Sequence, residues 1–247
     1  MKFNISEIEL SRTDVLKELR LPTIVSEDLA YISGFLAGDG SIYTRKDKCA
    51  YIIKCVGNPK SEREYYHNII APIFKRLFNL NLNIKMQDGG ETYGFVIYSK
   101  GLLNYLTQNI GLPCGKKYGS LRIPVIIKNK KEFLIQFIKG LADTDFYLGL
   151  KRGSKKNPYY PVIVGSSKSL KFMSEISYEL EKLGLKVTRY FNYKQLDKRF
   201  KKGYFIINRI ELCGYENYKL WMNQVGFNNN RHLIKTEKMI PNGVEIA

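Results

Sequence analysis

The sequence predicts an α+β protein made of two related halves. Two apolar, helix-like segments, residues 29–40 and 133–145, each carry an acidic residue at their end, Asp39 or Asp145. Strand pairs and helices follow both segments in the same order. The two acids lie 145 − 39 = 106 residues apart, and a repeat of this length indicates a duplicated structural unit.

A second pair of landmarks supports the duplication. Gly57 and Gly165, each placed after or near the end of a predicted strand, lie 165 − 57 = 108 residues apart. We therefore divide the chain into an N-terminal extension (residues 1–25), a first half (26–125) and a second half (126–247). The sequence of the extension indicates no function.

The elements of the first half follow from caps, turns and periodicity. Ser26 is a suitable N-cap for a helix that runs towards Gly38. Ser61 and Glu64 have the spacing of a capping box, and apolar residues then recur every fourth position, as on one helical face. A short helix before Gly111 closes the half. The predicted strands, paired as hairpins by turn residues, are 41–45 with 49–56 and 83–87 with 91–99.

The second half repeats these elements. Asn129 and Glu132 mark a helix start, residues 170–183 have helical periodicity, and Gly184 is placed to end that helix. A short helix precedes Gly226. The predicted strand pairs are 147–152 with 159–164 and 186–193 with 204–212. The order in each half is therefore helix, two strands, helix, two strands, helix.

The charge of the chain indicates a polyanionic partner. Lys and Arg number 40 and Asp and Glu 23, which gives a net charge of +17. The basic residues are spread along the chain rather than gathered on one amphipathic helix, and no apolar run reaches the roughly 18 residues of a membrane span. This pattern favours nucleic acid over a membrane surface.

The few cysteines and histidines limit the possible chemistry. The N-terminus lacks the apolar stretch of a signal peptide, and four cysteines without C-x-x-C spacing indicate free thiols. We therefore expect a cytoplasmic or other reducing, DNA-containing compartment. Two histidines argue against a zinc site or a histidine-based hydrolase. Catalysis would then depend on carboxylates, lysines and a hard metal ion.

The two acid-tipped segments could form such a metal site. Gly34 and Gly38 lie four residues apart on one helical face, a spacing that Gly140 and Thr144 repeat. Small residues let two helices approach closely, so that the acids at their ends become neighbours. Carboxylates at helix C-termini meet the negative end of the dipole and repel each other. Mg²⁺, which prefers oxygen ligands, would relieve both effects, and the carbonyls of Gly38 and Thr144 could complete its site.

The same residues resemble the LAGLIDADG homing endonucleases. The nine-residue motif corresponds to residues 32–40 in the first copy and to residues 138–146 in the second. The resemblance extends over residues 26–238, and the segment 111–117 is similar to archaeal members, which suggests an archaeal-type host. It implies a monomer with internal pseudo-twofold symmetry, in which two four-stranded antiparallel saddle sheets bind double-stranded DNA. It also implies double-strand breaks at a long target site.

The resemblance also implies roles for individual residues. Asp39 and Asp145 occupy the metal-binding position, with two or three Mg²⁺ or Mn²⁺ ions between them, whereas Asp143 is not at the catalytic position. A basic catalytic residue falls at Lys116 or Lys117, and we select Lys117. The ninth motif position differs between the copies, being Gly40 in the first and Phe146 in the second.

Other implied positions are less sharply defined. The basic residue of the second half is Arg231, His232 or Lys235. Asn58 and Ser166, at matching strand ends, could position water beside the metal site.

Basic hairpin turns and strand side chains are the expected DNA contacts. Phosphate contacts position such a protein, whereas contacts to base edges specify the sequence. The candidates for phosphate contact are Arg45, Lys46, Lys48, Lys151, Arg152, Lys155, Lys156, Lys198, Arg199, Lys201 and Lys202. The candidates for base contact are Tyr43, Tyr51, Ile53 and Tyr190.

Three other interpretations remain open. An RNA maturase would use the same fold to bind intron RNA, although the intact Asp39 and Asp145 argue mildly against a purely splicing role. A DNA-binding regulator with a decayed nuclease is favoured by Phe146. An intein-borne endonuclease is a third possibility, but the chain lacks the terminal nucleophile and His-Asn pair of protein splicing, so we expect a free-standing protein.

Overall fold

The helices follow the predicted order. This computed structural model describes residues 2–153, 159–236 and 239. The helices are α1 (Arg12–Leu16), α2 (Glu27–Gly38), α3 (Arg63–Tyr65), α4 (Ala71–Phe78), α5 (Lys100–Asn104), α6 (Val125–Lys128), α7 (Lys131–Asp145), α8 (Leu170–Lys182), α9 (Tyr215–Gln224) and α10 (Asn230–Thr236). A π-helical turn, Tyr66–Ile70, joins α3 to α4, and another, Tyr105–Ile110, extends α5.

The strands form two sheets of the same topology. They are β1 (Gly40–Arg45), β2 (Ala50–Gly57), β3 (Lys85–Gln87), β4 (Thr92–Tyr98), β5 (Phe146–Arg152), β6 (Tyr159–Ser167), β7 (Thr188–Leu196) and β8 (Tyr204–Cys213). The first sheet has the order β1-β2-β4-β3 and the second β5-β6-β8-β7, and every pairing is antiparallel. The predicted α+β class and the two four-stranded antiparallel sheets are confirmed.

One face of each sheet packs against the helices. Ile42, Ile53 and Phe95 contribute to the core from the first sheet, and Leu148 and Ile163 from the second. Because neighbouring strand residues point to opposite faces, the residues between them form an open face directed away from the helices.

This alternation corrects part of the predicted DNA-contact set. Ile53 is fully buried, at 0% exposure, so its expected base contact is wrong. Tyr51 lies two residues away on the same, helix-facing side of β2, where its ring packs partly against the core and carries Lys100 Nζ at 5.8 Å. The period of two, which the sequence did not place on a face, is the physical reason for both outcomes.

The strand register also changes the matching of the two halves. Gly40 pairs with Cys55, and the corresponding Phe146 pairs with Gly165, so that Cys55 rather than Gly57 is equivalent to Gly165. The near-equal glycine spacing was therefore a coincidence. The duplication is instead confirmed by the identical strand order of the two sheets.

The N-terminal extension packs on the first half. The buried Asp14 carboxylate accepts the N–H of Gly101 at 3.0 Å, at the start of α5. The Tyr105 hydroxyl donates to the carbonyl oxygen of Pro22 at 2.9 Å. These contacts join the extension to the edge of the first half, away from the paired helices α2 and α7.

Candidate functional site

The paired helices α2 and α7 meet through their backbones. A side chain at Gly34 would overlap the carbonyl oxygen of Phe137, and one at Gly140 would overlap that of Tyr31. The pairs are reciprocal, since 140 − 34 = 106 and 137 − 31 = 106. The two helices are therefore related by the internal pseudo-twofold axis that the sequence repeat predicts.

The close approach continues to the helix ends. An added side chain at Gly38 would overlap the Thr144 hydroxyl, which donates instead to the Leu141 carbonyl at 2.8 Å. The carboxyl carbon of Asp145 would also lie 3.4 Å from that side chain. Asp39 directly follows α2, and Asp145 is the last residue of α7, so the two acids meet at one end of the helix pair.

Both acids are held in unfavourable surroundings for their charge. Burial raises the pKa of Asp39 to about 7, assisted by the nearby Asp145 and Glu62 carboxylates, against the opposing effect of Arg231 and Lys117. Burial likewise raises the pKa of Asp145 to about 6, although Asp145 retains accessible surface at the floor of an open cleft. Such a pair needs a cation to be fully ionised at neutral pH.

The first basic residue of the site is Lys117. Its Nζ donates to the carbonyl oxygens of Ala37, at 2.8 Å, and of Gly38, at the C-terminus of α2. A cation there complements the helix dipole. Burial lowers the pKa of Lys117, and the nearby Asp145, Cys55 and Asp39 oppose that shift. Lys116 is exposed, so the geometry selects Lys117 from the two predicted candidates.

The second basic residue is Arg231. Its Nη2 donates to the carbonyl oxygen of Thr144 at the end of α7, and its Nη1 lies 3.1 Å from Glu62 Oε1. Gly38 and Thr144 are repeat equivalents, because 144 − 38 = 106. Their carbonyls, predicted as metal ligands, thus accept hydrogen bonds from Lys117 and Arg231 here, and metal binding by them stays a prediction.

The other two basic candidates of the second half point elsewhere. The His232 ring stacks on Phe227 with 4.4 Å between centroids. Burial lowers its pKa to about 3, with Arg231 acting in the same direction. Lys235 Nζ lies 4.5 Å from the centre of the exposed Tyr147 ring. Of the three, only Arg231 meets the end of α7.

Glu62 is a site residue that the sequence did not reveal. It lies between β2 and α3 and is 2% exposed. Its carboxylate accepts the Asn58 N–H at 2.5 Å and the Asn229 side-chain amide at 2.9 Å, besides its ion pair with Arg231. The predicted capping box of Ser61 is wrong, because Glu62 occupies the N-cap position of α3 and makes no side-chain cap. An acid among helix-start residues gave no separate signal.

Asp143 is a buried anchor rather than part of the acid pair. It accepts the Tyr31 hydroxyl at 2.6 Å and the backbone N–H groups of Asn228 and Asn229 at 2.9 and 3.0 Å. Burial raises its pKa to about 6, and these hydrogen bonds oppose the shift. Asp143 therefore fixes the loop that carries Asn229 and Arg231.

The predicted pair of water-positioning residues does not match across the halves. Asn58 follows β2, where its side chain accepts the N–H groups of Lys60 and Ser61 at 2.8 and 3.3 Å as a turn residue. Ser166 lies inside β6, opposite Arg209. The expectation of matching strand ends is therefore wrong, since β6 continues to Ser167.

A small cleft lies beside the acid pair. Ser167, Lys117 and Asp145 line it, together with Gly38, and its volume is about 170 Å³. Phe146, the departure at the ninth motif position, is directed away from the cleft into the core, where it stacks on Trp221 at 5.8 Å. It follows Asp145 in an ordinary extended conformation, so this bulky residue leaves Asp145 at the helix end.

The predicted DNA contacts fall into three groups. Tyr43 and Tyr190 lie on the open faces of their sheets. Three basic residues pair with acids: Arg45 with Asp47, Lys151 with Glu211 and Arg199 with Asp197. The exposed remainder are Lys48, Arg152, Lys198, Lys201 and Lys202. Lys155, Lys156 and the side chain of Lys46 lie outside the described residues.

Two searches of the described residues bear on membrane and metal binding. No helix there is long and apolar enough to cross a membrane. Nor do three or more His, Cys, Asp or Glu side chains in that part of the chain group together as a metal cage. The residues present instead fit an ion held by two carboxylates and water, which suits Mg²⁺.

Similar folds are found among solved structures. The homing endonuclease I-DmoI, in its mesophilic variants, is 19% identical and matches 81% of this chain and 95% of that chain, with a TM-score of 0.55. I-DmoI bound to DNA and Ca is 18% identical, over 86% and 97%, with a TM-score of 0.56. I-SmaMI bound to an uncleaved DNA target with calcium is 13% identical, over 89% and 95%, with a TM-score of 0.51. The protein therefore has the homing endonuclease fold.

Sequence comparisons find more distant, partial matches. No family model matches the chain. A glutamine–fructose-6-phosphate aminotransferase of Methanocaldococcus jannaschii is 23% identical over 90% of this chain but only 18% of its own length. A probable translation initiation factor of the same archaeon is 26% identical over 81% of this chain and 16% of its own length. This chain thus spans about a sixth of the length of these curated relatives.

Proposed function

We propose that this protein is a metal-dependent, site-specific DNA endonuclease that makes double-strand breaks at a long target, as a homing endonuclease does. The observation that carries the proposal is the junction of Asp39 and Asp145 at the end of two backbone-packed helices. One basic side chain, Lys117 or Arg231, binds the carbonyl end of each helix. The net charge of +17 and the DNA in the complexes of similar fold support the choice of substrate.

Asp39 and Asp145 would hold the divalent ions, with the Gly38 and Thr144 carbonyls as further candidate ligands. Once bound, Mg²⁺ or Mn²⁺ supplies an activated water and stabilises the leaving oxygen of a phosphodiester. The raised pKa values of Asp39 and Asp145 fit this role, since a cation would favour their ionised forms.

Lys117 and Arg231 would act on the phosphates. Each lies beside the acid pair, and each lowers the pKa of both acids. Lys117, partly desolvated between α2 and the cleft, is the proposed catalytic cation for one strand, where its ammonium would stabilise charge that develops on a phosphate oxygen. Arg231 would take the corresponding place for the other strand.

The open faces of the two sheets would bind the DNA, and the duplicated chain would act as a monomer. Exposed basic side chains at the hairpin ends, such as Lys48 and Arg152, would contact phosphates. Binding that depends on such contacts falls steeply with added salt. A nearly salt-independent affinity would contradict this part of the proposal.

The proposal is tested by selecting cleaved sites. The purified protein is incubated with a plasmid library that carries randomised or genomic inserts, with Mg²⁺ or with a chelator. We expect linear plasmids enriched in one long sequence, with Mg²⁺ only. Absence of cleavage with a bound, enriched sequence would favour a DNA-binding regulator, and stimulation of splicing of an intron RNA without DNA cleavage would favour a maturase.

A unit carried inside a longer protein is a second candidate. It is favoured by curated relatives with unrelated names, which also include a component of the A-type ATP synthase of Pyrococcus abyssi, matched over 15% of its own length. Immunoblotting of the source cells separates the two arrangements. A stable band near 28.6 kDa that does not derive from a larger precursor supports a free-standing protein.

A further inference from the structure

A buried carboxylate lies on the open face of the second sheet. Glu211 alternates along β8 with the core residues Ile210 and Leu212, so its side chain is on the face away from the helices. It is nevertheless only 1% exposed. Other side chains of that face must therefore cover it.

Two cations and an aromatic ring form this cover. Lys151 Nζ, from β5, lies 2.8 Å from Glu211 Oε2, and Arg209 Nη2 donates to Oε1. The guanidinium of Arg209 lies 5.6 Å from the centre of the Tyr190 ring on β7. The group thus spans three strands and carries a net single positive charge.

Arg209 keeps unused donors in this arrangement. Its Nε is buried and has no hydrogen-bond partner among the described residues, and one Nη2 bond goes to Glu211. A guanidinium has five N–H donors in a rigid plane. Fixed by Glu211 on one edge and by Tyr190 on its face, Arg209 presents its remaining edge in a restricted orientation.

The first sheet lacks this group. Val164 pairs with Glu211 and Ser166 with Arg209, whereas the corresponding Lys54 pairs with Val96 and Val56 with Gly94. The positions of the acid and of the arginine are therefore occupied by Val96 and Gly94. The open faces of the two sheets differ chemically at the same place.

We infer that Arg209 reads a guanine in the DNA half-site under the second sheet, and that Glu211 is the positioning residue for it. Arginine binds guanine O6 and N7 with two hydrogen bonds, the commonest specific contact in the major groove. Lys151 neutralises Glu211, so the carboxylate does not repel the phosphates. The half-site under the first sheet would have no guanine preference at the equivalent position. This inference rests on the proposed DNA binding.

The test is selection of bound sites from a randomised library, with Ca²⁺ in place of Mg²⁺. For the wild type we expect one base-pair position, in one half-site, at which guanine is strongly preferred. Arg209→Gln should lower that preference about 5- to 150-fold and leave the other positions unchanged. Glu211→Gln should weaken it at the same position.

A matched control lies on the other face of the same sheet. Arg189 on β7 binds Ser177 and Glu181 of α8, so Arg189→Gln should leave every base preference unchanged. Arg209→Lys keeps the charge but loses the planar fork, and should also lose the guanine preference. It serves if Arg209→Gln does not fold, as judged by thermal melting.

The outcomes separate the two proposals. Absence of any sequence-specific binding by the wild-type protein would overturn the proposed function. Specific binding with an unchanged guanine position in folded Arg209 variants would overturn the inference alone. An equal loss at all positions would assign Arg209 to phosphate contact and would also overturn it.

Discussion

The two halves of this protein are nearly equivalent in backbone and different in the side chains that support the site. Gly34 and Gly140 make reciprocal contacts across the helix pair. The basic residues at the helix ends do not match in this way. Lys117 binds carbonyl oxygens of α2, whereas Arg231 is also held by Glu62. The symmetry therefore brings the two acids together, and the side chains around them make the two strand-cleavage sites unequal.

The largest expected effect breaks the symmetric part. Gly34→Val and Gly140→Val should each lower the free energy of unfolding by about 4–5 kcal/mol, since a side chain must push one helix off the backbone of the other. Chemical denaturation measures it. The exposed Lys131→Ala on α7 is the control. Near wild-type stability of either glycine variant would contradict the backbone contact.

The ninth motif positions should be intolerant for opposite reasons. Phe146→Ala should cost about 3–5 kcal/mol, because it leaves a cavity beside Trp221. Gly40→Ala should cost about 1–3 kcal/mol, because the added carbon would press on the backbone of Leu36. Both are measured by denaturant unfolding. A Phe146→Ala protein of unchanged stability would show that Phe146 is not part of the core.

Metal-free stability should distinguish the two acids. The pKa of Asp39 is raised from 3.8 to about 7 in the folded protein. Its neutral form therefore stabilises the fold at low pH, and this contribution is lost as the pH rises, with the loss complete above about 7. In a chelator at pH 8, Asp39→Asn should be more stable than wild type, on the order of 1–3 kcal/mol.

The pH dependence supplies its own controls. The pKa of Asp145 reaches only about 6, so Asp145→Asn should gain less stability than Asp39→Asn. The exposed Asp47→Asn should change little at either pH. Melting temperatures at pH 4 and pH 8 measure the differences. A destabilised Asp39→Asn protein at pH 8 would contradict the unfavourable setting of this carboxylate.

The smallest expected effect concerns Glu62. Glu62→Gln removes the charged partner of Arg231 and should slow cleavage of one strand about tenfold, equivalent to about 1.4 kcal/mol. Nicked plasmid should then accumulate before linear product. Glu64→Gln is the control, since Glu64 is exposed and binds Asn230. An equal slowing of both strands would contradict a role confined to Arg231.

Sequence patterns predicted the features that depend on backbone periodicity. The helix with the Ser26 cap, the hairpins and the glycine faces of α2 and α7 all follow from local rules, and the cap is present, with the Leu29 N–H donating to Ser26 Oγ at 3.2 Å. The repeat then brought Asp39 and Asp145 together. Each step needed only the order and spacing of residue types.

Features that depend on register or on long-range pairing were not predictable in this way. Ile53 and Tyr51 were placed on the wrong face, because alternation alone does not say which face of a strand meets the helices. Glu62 and Arg231 lie 231 − 62 = 169 residues apart, and only the folded chain joins them. Their partners come from opposite halves, so no local pattern could indicate them.

Cleavage and binding by Asp39→Asn and Asp145→Asn test the central claim most directly. A labelled duplex of the selected target is assayed for cleavage with Mg²⁺ and for affinity with Ca²⁺, beside the wild type and Asp47→Asn. We predict that both acid variants bind the target specifically and fail to make double-strand breaks. Wild-type double-strand cleavage by either variant would show that the two acids do not form the metal site.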